Sequence, residues 1–539
     1  MEAHFATVWE SIAATVPEHL ALVQGARRLS WAAFEERAAR VADAFTEAGV
    51  GKDAKVALVL YNCPEYAEVV FASFKIRAVP VNVNYRYLQD ELAYVIDNAD
   101  AEAVVFHGSL GERIAGTRAK CPRVKIWVEV KDSGDHLEGS EPYERMLCTA
   151  DIAPPIRRSE QDFSLLYTGG TTGRPKAVVY SVGQLVRTFM QRMAPLVGLD
   201  ALDRPEDAAV VAHRLVEENA AYVALPACPL MHAAGWWAGL MAPHVLGGTS
   251  VLLEGRSFSP AEMWSVIERE RVVAAIIVGD SFARPMVREL GERMMTPDVP
   301  RFRRLISSGA MFAASTKRDL LARLPELTII DTVGASEGVI GNEITDRETP
   351  VQTARFHIHP TTRVFTEDWQ EVGPGSGIPG LLAVGGNVPL GYYKDSVKSA
   401  ATFREIGGIR YAIPGDWALL EEDGSITLLG RGNQCINTAG EKVFPEEVEE
   451  ALKTHPDVED ALVFGMLDAL LGQMVAAVVG LHGGGMSSEQ ELIRYVRTQL
   501  ASYKAPRSIH LVDVVPRTAT GKADYGAARA LLSEEAVRR

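Results

Sequence analysis

Trp31, Phe34, Ala38, Val41 and Phe45 fall at steps of three and four between Ser30 and Gly49. That spacing predicts one apolar helical face, with a hydroxyl N-cap before it and a glycine stop after it. Beyond it the pattern alternates. Apolar runs at 56–60, 79–83 and 103–106 read as strands, with helix-like segments after Pro64 and over 88–96 between them. The alternation returns between 163 and 330, with strand candidates at 222–225, 250–253 and 273–278. Strands alternating with helices predict parallel sheet covered by helices. From about 351 to 429 the texture changes to short apolar runs broken by glycine and proline, which predicts a small antiparallel unit. A final α+β segment follows Gly430-Arg431, with helices at 445–452 and 489–500 and strands near 461–465 and 474–480. No internal repeat or low-complexity tract interrupts this order.

The chain has 539 residues, more than one hydrophobic core accommodates, and 47% apolar with 23% charged residues is an ordinary globular composition. A formal net charge of −15 disfavours nonspecific binding to nucleic acid or an anionic membrane, so any anionic ligand must be held by local features. No apolar run approaches the roughly 18 residues that span a bilayer, and the first residues lack a basic region followed by an apolar one, so a cytoplasmic protein is expected. Cys63, Cys121, Cys148, Cys228 and Cys435 are odd in number and show no CxxC spacing, which argues against a disulfide framework or structural zinc.

The most specific chemistry lies at 167–176, Tyr-Thr-Gly-Gly-Thr-Thr-Gly-Arg-Pro-Lys, directly after an apolar strand-like run. Gly169, Gly170 and Gly173 let backbone N–H groups approach an anion, Thr168, Thr171 and Thr172 can donate to phosphate oxygens, and Lys176 adds a point charge. This is chemistry for polyphosphate. It is not the Walker pattern, because Pro175 stands where that pattern needs glycine and Ala177 replaces its Ser/Thr.

The loop resembles the phosphate-binding signature of the adenylate-forming superfamily: acyl-CoA synthetases, nonribosomal adenylation domains and luciferases. Further motifs resemble that family's in order. In 331–337, Asp-Thr-Val-Gly-Ala-Ser-Glu, the resemblance gives Asp331, Thr332, Val333 and Ser336 to the nucleotide and makes Glu337 the Mg²⁺ ligand, a hard carboxylate suited to a hard cation. Val333 replaces the usual aromatic, so adenine stacking would become an aliphatic contact. Gly309, Ala310 and Met311 look like the adenine-side loop, and Asp416 and Arg431 like the pair that reaches the ribose. Lys522, in Pro-Arg-Thr-Ala-Thr-Gly-Lys, matches the terminal lysine, whose implied role is to stabilise charge developing between carboxylate and α-phosphate. His232, Gly235, Trp236 and Trp237 occupy the acyl-pocket segment, with His232 also a catalytic or gating candidate.

The resemblance implies an α/β fold: a large N-terminal body of α/β subdomains plus a small β-barrel over 1–431, and a mobile α+β C-terminal domain over 432–539, hinged near Asn433. It implies an enzyme using ATP, Mg²⁺ and coenzyme A that converts a carboxylic acid to acyl-AMP and then to acyl-CoA. The texture of Gly391-Tyr392-Tyr393, Ile436-Asn437-Thr438 and 440–449 is most similar to actinobacterial ligases of fatty and steroid side-chain acids. Ala439 and Gly440 fall at the implied CoA channel, and Ala439 stands where glycine is expected. That substitution keeps open an adenylate-forming enzyme with weak CoA transfer; a noncatalytic nucleotide-binding regulator is the rival from another class.

Overall fold

The computed structural model describes residues 1–133, 135–168, 174–292, 299–310, 312–349, 351, 355–431, 436–438, 441–468, 472–500, 502–518 and 523–538. The first periodic segment forms the helix Trp31–Glu47, and the Ser30 hydroxyl accepts from the Ala33 amide at 3.2 Å, as an N-cap does. Its apolar face is buried, with Trp31, Phe34, Ala38, Val41 and Phe45 inside.

The alternation becomes two parallel systems. Val79–Asn82, Lys55–Val59, Ala101–His107, Ile126–Val130 and Glu141–Pro142 form a five-stranded parallel sheet. A second, 15-stranded sheet contains Thr249–Leu252, Val223–Pro226, Ala274–Ile277, Arg304–Ser308 and Thr328–Ala335 as parallel neighbours. Parallel strands end together, so the connections after Pro226, Ile277, Ser308 and Ala335 share one edge, where such sheets hold ligands.

The antiparallel unit is continuous with this sheet. Thr328–Ala335 turns back as Gly338–Thr345, which pairs with Arg355–Ile358 and then, through Ser425–Arg431, with Asp416–Leu420. The texture change near 351 therefore marks the middle of a sheet, and its antiparallel part begins at Gly338.

The glycine-threonine loop also joins different elements from a strand and a helix. Phe163–Thr168 pairs antiparallel with Lys176–Ser181, Thr168 opposite Lys176, so the loop closes a hairpin before the helix Val182–Leu196 starts. Gly391–Tyr392 adds a third strand to this hairpin.

The last segment is a small α/β unit with its own core. Val458–Asp468 and Gly472–Leu481 pair antiparallel, Ser508–Val512 adds in parallel, and helices Pro445–Lys453 and Glu489–Gln499 cover one face. Helix Tyr525–Arg538 covers the other through Ala528 and Leu532.

Candidate active site

Pairing of Gly391–Tyr392 with Val178 and Val179 brings Tyr392 beside Lys176. The Lys176 Nζ donates to Glu337 Oε1 at 2.9 Å and to the Tyr392 hydroxyl at 2.6 Å, and that hydroxyl donates to the same carboxylate oxygen at 2.5 Å. The ammonium also lies 3.8 Å from the Tyr392 ring centroid. Burial opposes charging of Glu337, but the Lys176 charge and the hydrogen bonds from Tyr392 and Lys176 outweigh it and hold its pKa below the ordinary carboxyl value.

Glu337 gets there through a tight turn. A Cβ on Gly334 would lie 2.9 Å from the Gly338 carbonyl oxygen, so the 334–338 turn closes only around glycine. The buried Tyr180 hydroxyl donates to the Ser336 carbonyl at 2.7 Å and fixes the apex. Next to the phosphate-type loop, Arg174 stacks on Tyr94 at 4.9 Å while the Tyr94 hydroxyl donates to the Pro175 carbonyl.

At the neighbouring strand ends, Ser308 lies in register with Thr332, which puts Gly309 and Ala310 next to the 332–337 segment. Gly309 has φ +88°, a left-handed conformation that glycine adopts without strain. The Thr332 hydroxyl donates to Asn342 Oδ1 at 2.8 Å, and Val333 packs partly buried against the core of the antiparallel unit. Asp416 and Arg431, fifteen positions apart in sequence, are directly opposed residues of an antiparallel pair, and Asp416 is buried.

Asp331 departs from the nucleotide role. It is buried, with Oδ2 2.8 Å from Lys317 Nζ, and the same ammonium lies 2.5 Å from Glu343, the cross-strand partner of Asp331. Burial pushes the Asp331 pKa up to about 6, against the opposing pull of Lys317. Asp331 therefore anchors the strand pair, because alternation along the strand turns it inward.

The acyl-pocket segment divides in a similar way. Residues Ala234–Met241 form a π-helix, a widened turn often found at functional sites. A Cβ on Gly235 would lie 2.4 Å from the Pro229 carbonyl oxygen and one on Gly239 2.4 Å from Pro226 Cβ, so both glycines are close-packing positions. Gly235 is buried, and its missing side chain lets the π-helix approach the Pro229 carbonyl. Trp236 is 0% exposed and packs edge-on against Tyr66, which makes it core. Trp237 is partly exposed and packs edge-on against Tyr180 at 5.1 Å and Phe189 at 6.0 Å. Only one of the two tryptophans therefore stands beside the Ser336–Glu337 turn.

His232 faces elsewhere, into a cavity of about 590 Å³ also lined by Tyr61, Tyr85, Arg86, Arg256 and Phe258. Asn82 couples this side to the phosphate-type hairpin. Its buried side chain donates to the carbonyls of Tyr167 at 2.9 Å and Met231 at 2.7 Å and accepts from the Tyr167 amide at 2.8 Å. Sequence reasoning missed Asn82, Tyr180 and Tyr392. The signal for Asn82 is a polar residue inside the apolar run 79–83, and for Tyr392 its place in the Gly-Tyr-Tyr texture.

Gly169, Gly170, Thr171, Thr172, Met311, Asn433, Ala439, Gly440 and Lys522 lie outside the described residues, as does the side chain of Arg431. Among the described residues no group of three or more His, Cys, Asp or Glu could cage a metal. Glu337 fits Mg²⁺ nonetheless: a buried, ionised carboxylate beside a phosphate-type loop is what a cation held mainly by phosphate and water requires. No helix among the described residues is long and apolar enough to cross a membrane.

Comparison with known proteins agrees with this arrangement. The AMP-binding enzyme family matches residues 9–393, and the AMP-binding enzyme C-terminal domain matches residues 447–522. The 3-oxocholest-4-en-26-oate–CoA ligase of Rhodococcus rhodochrous is 39% identical over 95% of this chain and 92% of its own length. The medium/long-chain-fatty-acid–CoA/3-oxocholest-4-en-26-oate–CoA ligase of Mycolicibacterium smegmatis is 39% identical over 99% and 97%. Among solved structures, the anthranilate CoA ligase AuaEII in complex with anthranoyl-AMP aligns with TM-score 0.83, covering 100% of both chains at 20% identity. ATP-bound MatB from Rhodopseudomonas palustris aligns with TM-score 0.81, covering 99% of both at 24% identity. The chain belongs to the AMP-binding enzyme family, as an AMP-forming acyl-CoA ligase that uses ATP, Mg²⁺ and coenzyme A.

Proposed function

We propose that this ligase acts in the cytoplasm on a long, largely apolar carboxylic acid, either a fatty acid or a bulky polycyclic acid of the kind named for its relatives. The observation that carries the reading is the Lys176–Glu337–Tyr392 cluster at the glycine-threonine hairpin, next to the partly exposed face of Trp237. Cationic and carboxylate groups stand where a polyphosphate would lie, and an aromatic surface stands where an apolar acid would.

In the first half-reaction a carboxylate oxygen of the acid attacks the α-phosphorus of ATP. The α–β phosphoanhydride bond breaks and pyrophosphate leaves. Lys176 turns from Glu337 to phosphate oxygens, and the Tyr392 hydroxyl keeps Glu337 in place. Glu337 would hold Mg²⁺, which supplies charge neutralisation on the phosphates when bound. Asp416 and Arg431 take the ribose, Gly309 and Ala310 border the base, and Lys522 supplies positive charge between the attacking carboxylate and the α-phosphate. In the second half-reaction the CoA sulfur attacks the acyl carbon, the acyl–phosphate oxygen bond breaks, AMP leaves and the thiol proton passes to solvent. Residues 432–539 move as a unit about Asn433 between the two steps, and Ala439 and Gly440 border the path of the thiol.

Acid-dependent pyrophosphate release tests the reading. Across short, medium, long and polycyclic acids, release is expected to rise with apolar length or bulk. A preference for short polar acids would contradict it.

A further inference from the structure

The connection after Ile277 leads into the helix Asp280–Glu292, which starts at the same carboxyl edge as the candidate site. Its first residue is a branch point. Asp280 Oδ1 accepts from the Ala313 amide at 3.2 Å, just beyond Gly309 and Ala310, and Oδ2 accepts from Arg284 Nε at 3.1 Å, one turn along the helix. The Gly279 amide donates to the buried Ser307 hydroxyl at 3.1 Å and fixes this helix start to the end of the neighbouring strand. Arg284 is aimed by Asp280, and its Nη1 donates to the backbone carbonyl of Glu459, 175 positions away in the C-terminal unit.

The local structure of Glu459 makes that carbonyl available. Where Val458–Asp468 pairs with Gly472–Leu481, Val458 stands opposite Leu481 and Asp460 opposite Gly480, so Glu459 is the extra residue of a β-bulge. A bulge takes one residue out of the ladder and re-aims its groups. The next residue, Asp460, holds Arg517 through two hydrogen bonds, from Nε at 3.0 Å and from Nη2 at 2.7 Å. Arg517 bridges Ala523, and the Asp524 amide donates to the Pro516 carbonyl at 3.3 Å, which closes the base of the segment whose sequence contains Lys522. Contacts therefore run from the end of the adenine-side loop through Asp280, Arg284, Glu459 and Asp460 to that base. Arg288 adds only an exposed pair, its Nη2 4.0 Å from Glu459 Oε1, and such pairs contribute little.

We propose that Arg284 is a positioning residue for the first half-reaction: it latches the C-terminal unit in the orientation that brings the Lys522 segment to the carboxyl edge, and Asp280 ties the latch to the nucleotide side. This rests on the reading that residues 432–539 change orientation between the half-reactions, with Lys522 serving the first. The acceptor is a main-chain oxygen on a bulge, so the contact depends on how the whole unit is turned and is lost when the unit rotates. A contact made in one orientation and absent in the other biases the unit toward the first.

The test measures the two half-reactions separately in the full-length enzyme, with hexadecanoic acid and a steroid side-chain acid as probes. Acyl-AMP formation is followed in single turnover without CoA, and acyl-CoA formation is followed from supplied acyl-AMP and CoA. Arg284→Met is expected to slow the first about tenfold at similar saturation by ATP, the shift that loss of one charge-assisted hydrogen bond gives an orientation equilibrium. The same variant is expected to carry out the second as fast as wild type or faster. Arg284→Lys is expected to recover part of the first rate. Asp280→Asn is expected to slow the first half-reaction in the same sense, with little further loss when it is combined with Arg284→Met. An equal loss in both half-reactions, or a first half-reaction that Arg284→Met leaves intact, would overturn the latch while leaving the ligase reading in place. Losses that add fully in the double variant would overturn the tie to Asp280. Absence of acyl-AMP from wild type with both acids would overturn the latch and the long-acid reading together.

Discussion

Lys176, Glu337 and Tyr392 show how three side chains from distant segments become one electrostatic unit. Burial disfavours the charged form of Glu337, and a cation and a phenol sharing its oxygen outweigh that and hold it ionised. Because the folded Glu337 pKa lies below its ordinary value, the folded state binds fewer protons than the unfolded state as pH falls through the carboxyl range. Its contribution to stability is therefore fully present above the ordinary carboxyl value and is lost as pH falls through the lowered one. Glu337→Gln is expected to flatten that acid limb of the stability curve and to reduce adenylation on the order of a hundredfold. Urea unfolding from pH 3 to pH 7 measures the first, and an unchanged acid limb would contradict the ion pair. The tryptophans separate more sharply. Trp237→Leu is expected to change the acid profile with little loss of stability, whereas Trp236→Leu removes fully buried volume and is expected to cost about 2–4 kcal/mol. Acid profiles and unfolding midpoints of both variants check this, and a reversed pattern would exchange their roles.

The elements that deliver these side chains were legible wherever burial leaves a periodic trace. The helix from Trp31, the strands near 56, 79 and 103 and both late helices appear within a few residues of their predicted places. Less legible were features set by tertiary contact. Thr168 and Lys176 face each other across a hairpin because Ala177, Val178 and Val179 pair as strand, and a local pattern cannot show which partner a strand finds. The π-helix at Ala234–Met241 depends on Pro226 and Pro229 touching its glycines, which separates Trp236 from Trp237 though they are adjacent in sequence. Asp331 sat inside a motif read as nucleotide-binding, and only the buried Lys317 shows its structural task. Lys317→Met should leave two buried carboxylates without their cation and cost about 3–5 kcal/mol. Adding Asp331→Asn and Glu343→Gln should recover most of that in urea unfolding. Failure of the triple variant to regain stability would show that Lys317 acts by packing instead.

Taken whole, the molecule brings a polyphosphate-type hairpin, a carboxylate turn and an aromatic side chain to the shared carboxyl edge of parallel strands, and its C-terminal part, in whose sequence Lys522 falls, forms a small α/β unit with its own core. Division of labour of this kind suits two consecutive reactions, since one body can hold the acyl-adenylate while the other exchanges its role. The resemblance assigns Ala439 to the CoA channel, where a methyl group in place of hydrogen would narrow backbone freedom beside a thiol arm. The central claim, adenylation of a long apolar acid followed by transfer to CoA, is tested most directly by following acyl-AMP and acyl-CoA separately in one time course, with wild type and Lys522→Ala side by side. The account expects wild-type acyl-AMP to form with stoichiometric pyrophosphate and then to fall as acyl-CoA rises, while Lys522→Ala still binds ATP but forms neither product. Wild-type enzyme that forms no acyl-AMP from any long apolar acid, or Lys522→Ala that forms it at the wild-type rate, would contradict the account.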